Sequence, residues 1–233
     1  MKTVKRRQVD PVVRLAALRA REEELRAAGC LRVAGVDEAG RGPLAGPVVA
    51  ACACRARPFT GADMAWLHFV NDSKQLSAAR REELYEQLTA DDSPFHLGVG
   101  VVGPAEIDRT NILRATHKAM RDAVVSLVVM PEYVLVDGTE IPELPIAQEK
   151  VIRGDSRCLS IAAASIVAKV TRDRIMVTHA AQYPVYGFDS HKGYGTPQHI
   201  EALRVHGRCP IHRASFAVAG IDPPRRRATR RRR

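Results

Sequence analysis

The sequence predicts an α/β fold, in which helices cover the faces of a sheet. Short apolar, β-branched runs bounded by turn residues are typical of strands, and they occur at 31–37, 47–55, 95–102 and 133–138. Longer segments carry helix start and stop signals, at 77–90, 104–128, 158–178 and 197–206. The first two strands are separated by a glycine-rich turn, which predicts a hairpin. Later strands and helices alternate, and this order is typical of a layered α/β or α+β sheet.

The last helix has complete end signals. Thr196 can cap it, Pro197 fits its first position and Gly207 follows its end. A further helix is predicted at 11–28, before the first strand, where Asp10 can cap and Pro11 fits the first turn. We expect residues 1–30 to be a helical extension packed on a main domain of residues 31–220.

Two segments give no helix or strand signal. Residues 56–72 are predicted to be a long loop. Residues 221–233 end in RRRATRRRR and are predicted to be a disordered arginine-rich tail. The net charge of +10 is concentrated at the ends, because 225–233 contribute seven positive charges and 1–10 a net of three. Residues 11–224 are therefore neutral overall, and the tail is expected to strengthen salt-sensitive contacts with phosphates.

Cysteine usage and hydropathy indicate the compartment. The five cysteines are scattered and odd in number, which favours a reducing environment over a disulfide framework. Cys52 and Cys54 share one strand face and are predicted to be buried small hydrophobes rather than metal ligands. No apolar run is long enough to span a bilayer, and the basic N-terminus is not followed by the apolar core of a signal peptide. We expect a cytoplasmic protein without membrane contact.

The most informative stretch is VAGVDEAGRGPLAG at 33–46, where an apolar run ends in Asp37 and Glu38. Carboxylate oxygens are the ligands that Mg²⁺ prefers. The turn Gly40-Arg41-Gly42 follows, and glycines around an arginine let backbone and guanidinium approach a phosphodiester. Taken together, these residues predict metal-assisted chemistry on a nucleic acid. The alternative is a solvated hairpin turn, since Asp and Gly are common in turns.

Two more carboxylates stand at the ends of elements. Asp137 follows the apolar run YVLV, and Asp155 precedes a helix. Their alternative roles are an Asp-Gly turn and a helix cap. If all four carboxylates converge, they can hold two divalent ions about 3.5–4 Å apart. Adjacent side chains of a strand point to opposite faces, so we expect a backbone bend at Glu38 or a role for its carbonyl.

The chain resembles bacterial ribonuclease HII from about residue 31 to about residue 218. Seven motifs occur in the same order: GVDEAGRGPLAGPVVAA, DSKQLS, NILRATHKAM, VLVDG, GDSRCLSIAAASIVAKVTRDRIM, YGFDSHKGYGT and HRASF. The resemblance implies a ribonuclease H-like fold with a mixed five-stranded sheet, flanking helices and a small C-terminal helical part.

The resemblance also implies chemistry. The catalytic and metal-binding set is carried by Asp37, Glu38, Asp137 and Asp155, with Mg²⁺ or Mn²⁺ as cofactor. The implied reaction is hydrolysis of the RNA strand in RNA–DNA hybrids, with nicking 5′ of a ribonucleotide embedded in duplex DNA. The products end in 3′-hydroxyl and 5′-phosphate.

Substrate-binding roles follow from the same resemblance. The backbone of Gly40, Arg41 and Gly42 reads the 2′-hydroxyl, which distinguishes RNA from DNA. Tyr194 stacks on the deoxyribose after the ribonucleotide, and Lys74 contacts phosphate. Weaker candidates for substrate contact are Asn111, Lys169 and Arg172. Structural hydrogen bonding is expected of His191, His199 and His212, and helix packing of the IAAAS run at 161–165.

The sequence also bears on binding partners and on alternative classes of protein. We expect a monomer that binds RNA–DNA hybrid and ribonucleotide-containing duplex DNA. A sliding clamp is not expected as a partner, because no convincing clamp-binding motif follows Phe216. The type III ribonuclease H is the nearest rival, but it typically has lysine in place of Arg41 and a large N-terminal domain. A proofreading-type exonuclease usually opens with Asp-x-Glu, and a non-catalytic hybrid-binding protein does not need the four carboxylates.

Overall fold

Five strands form one mixed sheet in the computed structural model, which describes residues 10–222. The strands are β1 (Val33–Ala39), β2 (Val48–Arg55), β3 (Phe95–Val102), β4 (Tyr133–Asp137) and β5 (Ala147–Val151). Their order across the sheet is β3-β2-β1-β4-β5. β1 pairs antiparallel with β2, and β2 with β3, whereas β4 is parallel to both β1 and β5. The mixed five-stranded sheet and the β1–β2 hairpin are confirmed.

Helices cover both faces of the sheet. They are α1 (Pro11–Ala27), α2 (Gly61–Leu67), α3 (Ala78–Thr89), α4 (Pro104–Arg109), α5 (Ile112–Val125), α6 (Leu159–Gln182), α7 (Phe188–His191) and α8 (Pro197–His206). Short 3₁₀ turns occur at Gly154–Ser156 and Pro184–Tyr186. Asp10 and Thr196 cap α1 and α8 through their side chains, as the sequence predicts. The two helices that follow α6, which are α7 and α8, form the small C-terminal helical part.

The structure differs from the expected elements at four places. The predicted loop 56–72 contains α2, which begins with a capping box between Thr60 and Asp63 and buries Leu67. The predicted helix 104–128 is two helices, because Asn111 starts a new one by accepting a hydrogen bond from the Arg114 amide. β5 was not predicted, since its sequence AQEKV has no apolar alternation. α6 continues past the expected end at 178.

Two apolar layers hold the sheet. On one face α5 packs on strand residues that include Cys52 and Cys54, both free and buried as predicted. On the other face α6 supplies Ala162, Ala163 and Ala164, so the expected helix packing of this run is confirmed. A third cluster joins the end of α6 to the C-terminal part, around Met176 and Phe188. The α6 layer lies directly behind the carboxylates of β1.

The N-terminal helix is joined to α6 by a buried carboxylate. Glu22 is 1% exposed, and its Oε1 accepts hydrogen bonds from the amide and the hydroxyl of Ser160, both at 2.7 Å. The Ser160 amide is one of the free amides in the first turn of α6, where Cys158 provides no side-chain cap. No helix in residues 10–222 is long and apolar enough to cross a membrane. The basic residues at 1–9 and the arginine tail from 223 onward lie outside the described residues.

Candidate active site

The register of two parallel strands brings Asp37 and Asp137 together. The pairing of β1 with β4 ends at Val36 and Val136, and each strand carries an aspartate at the next position. Side chains at equivalent positions of neighbouring strands share one face of a sheet. β1 stays paired with β2 through Ala39. The expected backbone bend at Glu38 therefore does not appear as an interruption of this pairing. The opening between β1 and β4 is where the carboxylates meet.

Asp155 reaches the same edge through the segment after β5. The amide of Gly154 donates to Asp137 Oδ1 at 2.6 Å, which ties the 3₁₀ turn carrying Asp155 to the end of β4. Lys74 Nζ lies 3.6 Å from Asp155 Oδ2. Asp72 also lies here, close enough to raise the pKa of Asp155. Asp72 was not predicted as a site residue, although it belongs to the DSKQLS motif.

Mutual repulsion shows in the titration of the carboxylates. Burial raises the pKa of Asp37 well above its usual range, and the charges of Glu38 and Asp137 raise it further. Burial also raises the pKa of Glu38, against the ion pair with Arg41, whose Nη1 lies 3.2 Å from Glu38 Oε1. The pKa of Asp155 is raised by burial and then by Asp72 and Asp137. Such a set favours a bound cation, which would relieve the repulsion.

The donor set fits a hard divalent cation, since all four side chains offer carboxylate oxygens. In the described residues, however, no three His, Cys, Asp or Glu side chains are already gathered as a metal cluster. Internal partners explain this: Asp37 accepts from the Glu38 amide, Asp137 from the Gly154 amide, and Lys74 approaches Asp155. Cation binding would therefore exchange some of these contacts for coordination.

The expected substrate-reading residues line one cavity of about 280 Å³. Its walls include Glu38, residues 40–42, Lys74 and Tyr194. A Cβ built on Gly42 would stand 3.9 Å from the Tyr194 ring, so the turn and the tyrosine face each other closely. Tyr194 is 44% exposed and can offer its ring to a substrate. The structure thus brings the predicted binding residues next to the carboxylates.

Three weaker candidates have structural roles instead. Arg172 is 1% exposed and donates only to main-chain carbonyls among the contacts described. Asn111 caps α5, and Lys169 holds Asp173 with Nζ–O distances of 2.6 and 2.7 Å, although it also lines the cavity. The sequence pattern of α6 does not indicate that a charged residue such as Arg172 is buried.

One contact to Asp37 was not foreseen. Ser165 hydrogen-bonds to the Asp37 carboxylate, and its hydroxyl lies 2.8 Å from that of Ser73. Both serines are buried. The last residue of the IAAAS run therefore contributes to the site as well as to packing.

The three histidines form structural hydrogen bonds, as predicted. His199 and His212 meet through their Nε2 atoms at 3.0 Å. Nδ1 of His199 lies 2.9 Å from the Tyr194 carbonyl, and Nδ1 of His212 lies 2.9 Å from the Cys209 amide. His191 contacts the Tyr186 carbonyl at 2.7 Å. This network supports the loop that presents Tyr194.

Comparison with known proteins shows the family of the chain. A family model described as Ribonuclease HII matches residues 34–219. The Ribonuclease HII of a Bacillus cereus strain is 49% identical over 196 residues, which are 84% of this chain and 73% of the relative. Ribonuclease H2 from Pyrococcus horikoshii OT3 superposes with a TM-score of 0.63 at 30% identity, over 79% of this chain and 93% of that chain. The structure of the PCNA:RNase HII complex from Archaeoglobus fulgidus gives a TM-score of 0.65 at 26% identity, over 81% and 96%.

A mixed sheet with helices on both faces and carboxylates at one edge defines a ribonuclease H-like nuclease. The chain belongs to the ribonuclease HII family. It is a metal-dependent hydrolase, and the reaction of its family is endonucleolytic cleavage of RNA in RNA–DNA hybrids. The predicted fold and family are confirmed, and the type III alternative is set aside.

Proposed function

We propose that this chain nicks duplex DNA on the 5′ side of an embedded ribonucleotide, besides cutting the RNA strand of hybrids. Asp37, Glu38, Asp137 and Asp155 are the proposed catalytic residues and ligands of two Mg²⁺ or Mn²⁺ ions. The observation that carries the proposal is the meeting of these carboxylates where β1 and β4 separate. Lys74 and Arg41 are the cations that lie beside these carboxylates in the described residues.

The chain's residues have distinct tasks in this reaction. Bound divalent ions would activate a water and stabilise the leaving oxygen of an in-line displacement. The water oxygen bonds to phosphorus, the bond to the 3′ oxygen breaks, and that oxygen takes a proton. The cleaved strand therefore has 3′-hydroxyl and 5′-phosphate ends. Ser165 holds the Asp37 carboxylate in place through its hydrogen bond, and the Gly154 amide does the same for Asp137.

Recognition of the ribonucleotide is proposed for the cavity beside the carboxylates. Main-chain groups of residues 40–42 would read the 2′-hydroxyl, and Tyr194 would stack on the following deoxyribose. The closeness of Gly42 and Tyr194 supports this, because neighbouring sugars of one strand could contact the turn and the ring at the same time. Lys74, at the rim, would contact a phosphate once it is released from Asp155.

The remaining proposals concern context. We further propose that the chain acts as a monomer in the cytoplasm. Its substrates there would be hybrids and ribonucleotide-containing DNA, in ribonucleotide excision repair. The Archaeoglobus fulgidus relative was solved in a PCNA complex, but no convincing clamp-binding motif follows Phe216 in this chain, and we propose no clamp partner.

The test is cleavage of a labelled DNA duplex that carries one ribonucleotide, with Mg²⁺, Mn²⁺ or EDTA. We expect a metal-dependent nick 5′ of the ribonucleotide, which Asp37→Asn abolishes while binding is retained. Asp91→Asn is the matched control, since Asp91 is exposed and far along the chain from the site motifs. Cleavage only of runs of several ribonucleotides would contradict the proposed specificity. Binding without cleavage in either metal would favour a hybrid-binding protein, and near wild-type cleavage by Asp37→Asn would remove that residue from the site.

A further inference from the structure

Two buried arginines lie behind the cavity that the substrate-reading residues line. Arg172 on α6 is 1% exposed, and Arg213, in the segment after α8, is 0% exposed. Neither forms an ion pair with a carboxylate within residues 10–222. Burying a charge is costly unless hydrogen bonds compensate it. Their guanidinium groups must therefore donate to other acceptors. The positions of these acceptors indicate which segments the arginines hold.

All acceptors of Arg213 are carbonyls of the turn and of the segment that follows it. Nη2 donates to Gly40 at 2.6 Å and to Pro47 at 3.1 Å, Nη1 to Arg41 at 3.0 Å, and Nε to Gly46 at 3.0 Å. One side chain thus holds both ends of the loop from 40 to 47. This pattern uses the planar fork of donors that arginine has and lysine lacks.

Arg172 connects the same loop to the segment that carries Tyr194. Nε donates to Pro47 at 2.9 Å, Nη2 to Ala45 at 3.1 Å, and Nη1 to Lys192 at 3.0 Å. Its guanidinium carbon lies 5.8 Å from the centroid of the Tyr194 ring. The Pro47 carbonyl accepts from both arginines, so the two guanidinium groups act on one shared point.

The backbone is shaped around these side chains. Gly40 has a φ of +97°, and a Cβ there would stand 2.1 Å from Arg172 Nε. Gly193 has a φ of +84°, and a Cβ there would stand 2.6 Å from the Ala45 carbonyl oxygen. The Leu44 amide donates to the Gly193 carbonyl at 2.8 Å. The turn and the tyrosine segment are therefore in direct contact, with Arg172 along one side.

We propose that Arg172 and Arg213 are positioning residues that set the distance between the 40–42 turn and Tyr194, and thereby the selection of a single ribonucleotide followed by DNA. This inference rests on the proposed function of the cavity. The arginines touch no substrate and act through the carbonyls they hold. Because one junction must satisfy the turn and the tyrosine at once, a small change in their separation reduces cleavage at that junction. A continuous RNA strand offers many registers and depends less on this distance.

The test compares Arg172→Lys and Arg213→Lys with Arg174→Lys, an exposed arginine of the same helix that pairs with Glu82. kcat and KM are measured on duplex DNA with one ribonucleotide and on a hybrid with a continuous RNA strand. We expect each buried variant to lose about tenfold more kcat/KM on the single ribonucleotide than on the hybrid. Arg174→Lys should keep the wild-type ratio. Equal losses on both substrates, or no loss, would overturn the proposal.

A second pair of variants covers the case in which a buried lysine prevents folding. Gly193→Ala leaves both guanidinium groups in place but forces the tyrosine segment away from Ala45. Gly207→Ala is the control, since Gly207 also has a positive φ, of +71°, and no atom lies within 4 Å of the new Cβ. Only Gly193→Ala should change the ratio between substrates, and an unchanged ratio would overturn the proposal. If the wild-type protein does not nick the single ribonucleotide, the proposed function itself fails, which is a separate result.

Discussion

At the residue scale, the His199–His212 pair shows how hydrogen-bond partners determine a protonation state. The Tyr194 carbonyl can only accept, so His199 donates from Nδ1 and accepts at Nε2. His212 then donates from Nε2 and accepts from the Cys209 amide at Nδ1. Both rings are neutral in this arrangement. A proton added to His199 would set two donors against each other at 3.0 Å, and a proton added to His212 would oppose the Cys209 amide at 2.9 Å.

This pair predicts an acid-sensitive contribution to stability. Burial, followed by the neighbouring His199, lowers the pKa of His212 to about 4. The unfolded chain binds a proton near pH 6.5, so the stabilisation is present above that pH and is lost as the pH falls towards 4. The titratable or charged groups close to His212 include His191, His199, Arg208 and Cys209.

The measurement is the free energy of unfolding from pH 7 to pH 4 for wild type and His212→Gln. We expect the wild type to lose on the order of 2 kcal/mol more than the variant over this range. Subtracting the variant's curve from that of the wild type removes the pH dependence that other groups contribute to both proteins. Glu22 is one such group, and its raised pKa has the opposite effect on stability. Parallel curves for the two proteins would show that His212 does not titrate in this way.

At the element scale, α1 and α6 are joined by a buried polar contact in addition to their apolar packing. Residues 22 and 160 are far apart in sequence, yet Glu22 satisfies the first turn of the helix that follows Asp155. Cap signals of α1 and α8 could be predicted, because a cap and its helix are adjacent in sequence. This cap could not be predicted, because its acceptor comes from another element.

Replacing Glu22 should therefore destabilise the fold. Glu22→Ala leaves the Ser160 amide and hydroxyl buried without their acceptor, and we expect a loss of about 2–3 kcal/mol in the free energy of unfolding. Glu22→Gln keeps a side-chain oxygen and should lose less. Glu24→Ala is the control, since Glu24 is exposed and forms only a surface pair with Arg21. A loss for Glu22→Ala no greater than for Glu24→Ala would mean that the contact adds little.

At the scale of the whole molecule, the charge distribution separates chemistry from general affinity. The body from 11 to 224 is neutral, and seven arginines stand at 225–233, outside the described residues. Phosphate neutralisation by such a segment depends strongly on salt. The tail is therefore expected to affect binding and to leave the cleavage position unchanged.

Deleting residues 225–233 tests this expectation. Affinity for an RNA–DNA hybrid should fall mainly at low salt, and the plot of log affinity against log salt should become shallower, because fewer phosphates are neutralised. Binding is measured with EDTA present, so that no cleavage interferes. Replacing the arginines with lysines keeps the charge and should keep the slope. An unchanged slope after deletion would mean that the tail does not contact the nucleic acid.

The sequence by itself determined the strands that end in carboxylates, most helix ends and the family, because these signals lie in adjacent residues or in ordered motifs. Tertiary structure alone decided that Asp37 and Asp137 occupy equivalent positions, that Asp72 and Ser165 join them, and that Arg172 is buried. It also decided that β5, with its polar sequence, completes the sheet. These features depend on strand register and on hydrogen bonds between distant segments, as with Arg213 and Gly40. Such contacts leave no local pattern, since the partner of each group is chosen only when the chain packs.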